Sequence, residues 1–318
     1  MKLDHTFSNT IKGIAMLLII YHHTYIYNAK EFWFFIGAGW CFLGVSLFFF
    51  ISGFGLTKSY LKKKYTIFQF IRRRFLRLWP AIILCMILRW LLSPILIRRF
   101  PFPTDLIHLF GFQEWFIIAI SFWYISFILI FRFINNNQDR ILALFFISSI
   151  LLCFLGIFAN KNNIFSQKAR LWIRFPFSFV LGILFAIYEK EFCKIINRKK
   201  IIVLIFSFFI LYLATKPYFI FPFFTYFFLD IVSIPLIVVI VFFLYELDLN
   251  TKILQFIGEH SLPLYLIQVP ILKYCIFLHS NINPKIGLIL SLGIIFILSW
   301  IVNILNKKMM NFEKVFIR

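Results

Sequence analysis

The chain has 318 residues, 62% hydrophobic and only 14% charged, with a mean hydropathy of +0.91. Soluble domains carry about a quarter charged residues, so this composition excludes an ordinary cytosolic enzyme, a disordered chain and a coiled coil. The net charge is +21, from 33 Lys and Arg against 12 Asp and Glu. In a soluble protein that excess would point to nucleic acid, but here the basic residues sit in short gaps between apolar runs, where membrane topology places them.

A membrane-crossing helix needs about 20 apolar residues, and the chain carries enough for about ten. The apolar runs, bounded by charge, Pro, Gly or Asn, are 10–28, 33–57, 79–97, 114–134, 140–159, 172–188, 201–215, 218–245, 262–280 and 284–305. They predict an all-α, polytopic integral membrane protein of about ten transmembrane helices, one domain over 1–318 with no soluble domain. The seventh run is short and ends at Lys216-Pro217, so it is a span or the first arm of a helical hairpin. The first run has no small-residue cleavage site after it, which predicts an uncleaved first helix.

With both termini placed in the cytoplasm, 22 Lys and Arg fall on the cytoplasmic side, eight of them between Lys58 and Arg77, against 10 outside. That bias fixes the predicted orientation. No internal repeat supports an inverted-repeat transporter. Cys41, Cys85, Cys153, Cys193 and Cys275 form no CxxC, and they read as small apolar residues, with neither a disulfide frame nor a metal site expected. The 47 Phe, with abundant Ile, Lys and Asn, are consistent with an AT-rich genome and carry no functional meaning.

Ionisable groups inside membrane helices cost about 2.5–3.5 kcal/mol each on insertion scales, so each is a functional candidate. In the first run, Lys12 and His23 are eleven residues apart. At about 100° per residue they fall within about 20° of one face, about 16 Å apart along the axis. A cation at the cytoplasmic end and an imidazole deep in the membrane would then line one channel. His22 lies about 80° away on another wall. Bonding to neighbouring helices is the plainer account of either histidine. In the second run, Ser52-Gly53 stands near the cytoplasmic end, where small residues also serve close helix approach.

The basic segment Phe70-Ile71-Arg72-Arg73-Arg74-Phe75-Leu76-Arg77-Leu78-Trp79-Pro80 puts Arg74 and Arg77 on one helical face, with Arg73 beside them. Two guanidiniums so placed could grip phosphates bidentately. The same cluster, with Trp79 as interfacial anchor, could equally fix topology and touch anionic lipid. Asp230 lies inside the eighth run as a proton relay or as partner to a buried base. Glu114 opens the fourth run, at the outer interface.

In order along the chain, these features resemble the acyltransferase 3 family of integral membrane acyltransferases. Lys12-x10-His23 is similar to the family's Arg/Lys-x10-His element. Val45-Ser46-Leu47-Phe48-Phe49-Phe50-Ile51-Ser52-Gly53-Phe54 resembles its FF…SGF element, and Arg74-x-x-Arg77 resembles its Arg-x-x-Arg. Trp123-Tyr124-Ile125-Ser126 resembles the fourth-helix tryptophan segment. Phe175-Pro176-Phe177-Ser178-Phe179-Val180-Leu181-Gly182 resembles an FxxG element. Ser261-Leu262-Pro263-Leu264-Tyr265-Leu266-Ile267-Gln268 resembles a late SYxxYLxH segment. The resemblance covers about residues 12–270. It departs from the family at Gln268, where His is usual and where a neutral amide cannot titrate, and at Leu262, often aromatic.

The resemblance implies a membrane O-acyltransferase that moves an acyl group, by default acetyl, from cytoplasmic acyl-CoA to a hydroxyl of a surface or exopolysaccharide sugar or a small-molecule acceptor. It implies acyl-CoA as co-substrate with no bound cofactor or metal, and a multi-pass bacterial inner or plasma membrane location. Arg74 and Arg77 would hold CoA phosphates, with Lys12 and Arg73 adding charge. His23 would act as general base or accept the acyl group itself. Tyr124 or Ser52 would donate to the developing oxyanion. His22, Gly53, Trp123, Asp230 and Gln268 are secondary candidates. Acceptor specificity is expected in outer loops such as 98–114 and 159–171. A transporter or flippase of a lipid-linked glycan, or a non-catalytic subunit of polysaccharide assembly, would also use a basic mouth and a mid-membrane His.

Overall fold

A computed structural model describes residues 5–27, 41–97, 115–159, 175–198, 222–246, 251–278 and 284–316. Among the described residues the chain is all-helical, with eleven helices. They are α1 His5–Tyr27, α2 Cys41–Lys62, α3 Ile67–Ile97, α4 Trp115–Phe133, α5 Asn137–Ala159, α6 Pro176–Ile187, α7 Glu189–Arg198, α8 Pro222–Glu246, α9 Lys252–Glu259, α10 Ser261–Leu278 and α11 Pro284–Phe316. Nine of the ten predicted runs coincide with helices, and the seventh, 201–215, lies outside the described residues. Glu114, the side chain of Asp230 and most of the two outer loops lie outside them as well.

Three of these helices are long and apolar enough to cross a membrane over Phe42–Lys62, Trp115–Phe133 and Ile286–Met309. Pro176–Ile187, Val232–Leu244 and Ser261–Leu272 are shorter apolar stretches. The outward face of α11 carries Ile286, Ile289, Leu290, Ile297, Trp300 and Ile301, all exposed. Water would charge heavily for such a face, whereas lipid tails solvate it.

Two helices were not expected, α7 and α9, both short and amphipathic. α9 is capped by Thr251, whose hydroxyl accepts from the Leu254 backbone N–H. α3 begins at Ile67, well before the apolar run at 79, so the arginine cluster is helical. α11 runs past its apolar stretch to Phe316.

The densest packing joins α2 to α6. A Cβ at Gly53 would overlap the Phe179 carbonyl, and one at Gly182 would overlap that of Phe50. The two backbones therefore touch through reciprocal glycines, the small-residue mode by which membrane helices associate. Trp123 of α4 stacks on Phe179 at 5.1 Å between ring centroids. The buried hydroxyls of Ser178 and Ser233 tie α6 to α8 at 3.0 Å. Arg140, at the start of α5, donates to the Phe131 carbonyl at 3.1 Å and to that of Ile134 at 2.6 Å. It thereby caps the negative end of α4.

Candidate active site

A cavity of about 610 Å³ lies among α1, α2, α3, α4, α10 and α11, with α9 adding to its lining. One end is polar. α1 supplies His5, Ser8, Asn9 and Lys12, α3 supplies Arg74 and Arg77, α9 supplies Glu259, and α11 supplies Asn303, Asn306 and Lys307. The other end is apolar and aromatic, with Ile19, Phe48, Phe116, Ile117, Ile120 and Tyr265. Helical periodicity explains the gradient: Lys12 and Ile19 are seven residues apart, so the same α1 face turns from cationic to aliphatic with depth.

The polar end is organised. Asn9 donates from Nδ2 to His5 Nδ1 at 3.3 Å and accepts from Lys12 Nζ at 3.4 Å. A Cβ at Gly258 would overlap the Asn9 carbonyl, so α9 lies directly on α1 there. Lys307 pairs with Glu259 at 3.5 Å in an exposed ion pair across the rim, which contributes little to stability. The Arg74 guanidinium lies over the rings of Phe70 and Tyr124, at 5.5 and 5.4 Å from their centroids. Burial pushes the Arg74 guanidinium below its ordinary value, Tyr124 opposing this and Arg77 adding to it; it stays charged all the same. His260, at the α9–α10 turn, donates from Nδ1 to the Phe256 carbonyl at 2.7 Å. Burial holds its imidazole below the usual histidine value.

The expected site residues divide. Lys12, Ser52, Arg74, Arg77 and Tyr124 all line the cavity. Arg73 does not: it is exposed and stacks over Tyr65 at 4.6 Å. Gly53 and Trp123 belong to the α2–α6–α4 packing described above. His23 stands one turn beyond Ile19 on α1, and Gln268 one turn beyond Tyr265 on α10. The imidazole faces the fully buried Gln268 side chain, whose Nε2 also reaches the Tyr265 carbonyl at 3.5 Å. His22 packs beside His23. His23 and Gln268 are not among the residues that line the cavity, against the expectation that His23 shares one channel with Lys12; both lie a turn past its apolar end, with Tyr124 nearer the cations.

Sequence reasoning missed Asn9, Glu259, Tyr265, Asn303, Asn306 and Lys307. Asn9 precedes the first apolar run, and Lys307 follows the last. Tyr265 lay inside a quoted segment but was given no role.

The fold and site define an all-helical membrane protein with an internal cavity that is cationic at one end and aromatic at the other. A family model described as an acyltransferase domain, that of the acyltransferase 3 family, matches residues 5–304. The chain belongs to that family, and acyltransferase activity goes with the membership. No curated protein and no solved structure matches the chain.

Proposed function

We propose that the protein transfers an acetyl group from acyl-CoA, entering at the cationic end of the cavity, to a hydroxyl of a surface or exopolysaccharide sugar. The observation that carries this reading is one cavity lined from Lys12, Arg74 and Arg77 to Ile19, Phe116 and Tyr265, with His23 and Gln268 one turn further along α1 and α10. Guanidiniums suit phosphate oxygens because their forked donors match them bidentately. The pantetheine arm would lie along Ile19, Phe48 and Phe116, bringing the thioester toward His23. The excess of basic residues at this end supports a cytoplasmic mouth, where acyl-CoA is found.

In the reaction, the acceptor oxygen attacks the thioester carbonyl. A C–O bond forms, the C–S bond breaks, and His23 takes the hydroxyl proton and returns it to the departing thiolate. Imidazole suits this because its ordinary value lies near neutral pH. The Gln268 amide orients the ring and cannot itself titrate. Ser52, one turn from Phe48 on α2, is a lining hydroxyl able to donate to the developing oxyanion, whereas Tyr124, under the Arg74 guanidinium at 5.4 Å, stands at the phosphate end. An acyl-histidine intermediate would use the same atoms in two steps.

Labelled acetyl-CoA supplied to membranes holding the wild type or His23→Ala at matched expression, with surface-glycan extract as acceptor, tests the reading. Label in glycan with the wild type alone is expected. Equal label with both would remove His23 from the chemistry, and label with neither would count against the sugar acceptor.

A further inference from the structure

Three of the four cations around the cavity, Lys12, Arg74 and Arg77, account for the phosphates in the reading above, but nothing yet accounts for the amides beside them. Asn303 and Asn306 stand three residues apart on α11, on one helical face, and both line the cavity. Asn303 is buried, at 7% exposure. The Asn306 Oδ1 is buried and has no hydrogen-bond partner. A carbonyl oxygen held out of water without a donor costs free energy, and the two ammonium groups that line the same cavity are bonded to other residues, Lys12 to Asn9 and Lys307 to Glu259. Lys12, Arg74, Arg77 and Lys307 are donors only, so they bind anions and leave a ligand's own N–H groups unread. Asn306 supplies the opposite polarity at the same rim.

A carboxamide that offers one acceptor and one donor side by side matches adenine, whose exocyclic amino group donates next to a ring nitrogen that accepts. We propose that Asn306, with Asn303 one turn away on the same face, reads the adenine 6-amino group of the acyl donor, making α11 the specificity element for an adenine nucleotide. This rests on the acyl-CoA reading above and adds to it a base-recognition residue. Arg74 and Arg77 hold charge whatever the base; Asn306 distinguishes one base from another. Lys307, next along the helix, is then placed at the junction of base and phosphate.

The test is binding to the purified full chain in detergent. The probes are acetyl-CoA and an analogue whose base is unsubstituted purine, which keeps the phosphates and ring nitrogens and lacks the amino group. The wild type is expected to bind the purine analogue about tenfold or more weakly. Asn306→Ala is expected to bind both alike, no more tightly than the wild type binds the analogue, while Arg74→Ala weakens both by the same factor. Equal binding of both probes by the wild type would overturn the proposal, and needs no variant to fold. Discrimination that survives in Asn306→Ala would overturn it too. Failure of the wild type to bind acetyl-CoA at all would sink the acyl-CoA reading, and this proposal with it.

Discussion

Gly53 and Gly55 lie two residues apart on α2 and meet opposite surroundings. A side chain at Gly53 would run into the α6 backbone, whereas one at Gly55 would meet nothing within 4 Å, because that residue faces the cavity. Two residues turn a helix by about 200°, so α2 is a partition. On one side α2, α6 and α4 are locked by glycine contacts and the Trp123–Phe179 stack. On the other, α1 packs on α2 and α10, with Gly44 close against the Ala15 carbonyl, and α10 and α11 pack on α3, so that the cavity lies between their lining faces. The difference teaches that neighbouring residues of one helix hold different offices. Ser52 and Gly55 face the cavity, and Gly53 sets the distance between helices.

The comparison can be broken by substitution, and the cavity side should give the largest effect on activity. His23→Ala is expected to lower acetyl transfer by about 10²–10⁴-fold while leaving detergent-extracted yield and melting temperature near wild type. Loss of fold with loss of activity would move His23 to the packing side. Gly182→Val should do the reverse. Its side chain has no room against the Phe50 carbonyl, and overpacking costs about 1–3 kcal/mol, read as a lower melting temperature. Gly55→Leu, facing open space, should keep the wild-type melting temperature and raise the KM for acetyl-CoA by filling the cavity.

Arg77→Ala against Arg73→Ala sharpens the cavity side. Charge-assisted hydrogen bonds are worth about 1.5–3 kcal/mol, so losing Arg77 should raise the KM for acetyl-CoA by about tenfold or more. Arg73 lies over Tyr65 outside the cavity, and its loss should leave KM within about twofold. Equal effects would mean that the cluster acts as a diffuse charge.

The smallest effect concerns the α9–α10 turn. His260 is held below its ordinary value by burial. Its neutral form is therefore favoured in the folded chain, and the unfolded chain binds the proton more readily. Its contribution to stability is complete above about pH 6.5 and is lost as pH falls through the folded value. Melting temperatures taken from about pH 7.5 to about pH 5 should fall in the wild type and fall less in His260→Gln.

Much of the cavity side was legible in sequence because it follows helical period. Arg74 and Arg77 share a face of α3 by spacing alone, and the structure has both, with Lys12 of α1, lining one cavity; His23, on the Lys12 face by the same arithmetic, is not among the lining residues. The pairing of His23 with Gln268 was not legible, since it joins two helices far apart in the chain. Trp123 and Tyr124 were read together, but adjacent residues point about 100° apart. One stacks in the core and the other meets Arg74. α9 escaped because eight residues of mixed polarity between apolar runs look like a loop. The α11 contribution escaped because Asn306 and Lys307 fall beyond the apolar run that defined the span.

The central claim is that the cationic end of the cavity receives a phosphorylated acyl donor. Equilibrium binding of acetyl-CoA to the purified wild type and to the Arg74→Ala/Arg77→Ala double variant tests it most directly. Saturable binding to the wild type, displaced by free CoA and weakened about a hundredfold in the folded double variant, is the predicted result. Equal affinity in the two proteins would contradict it.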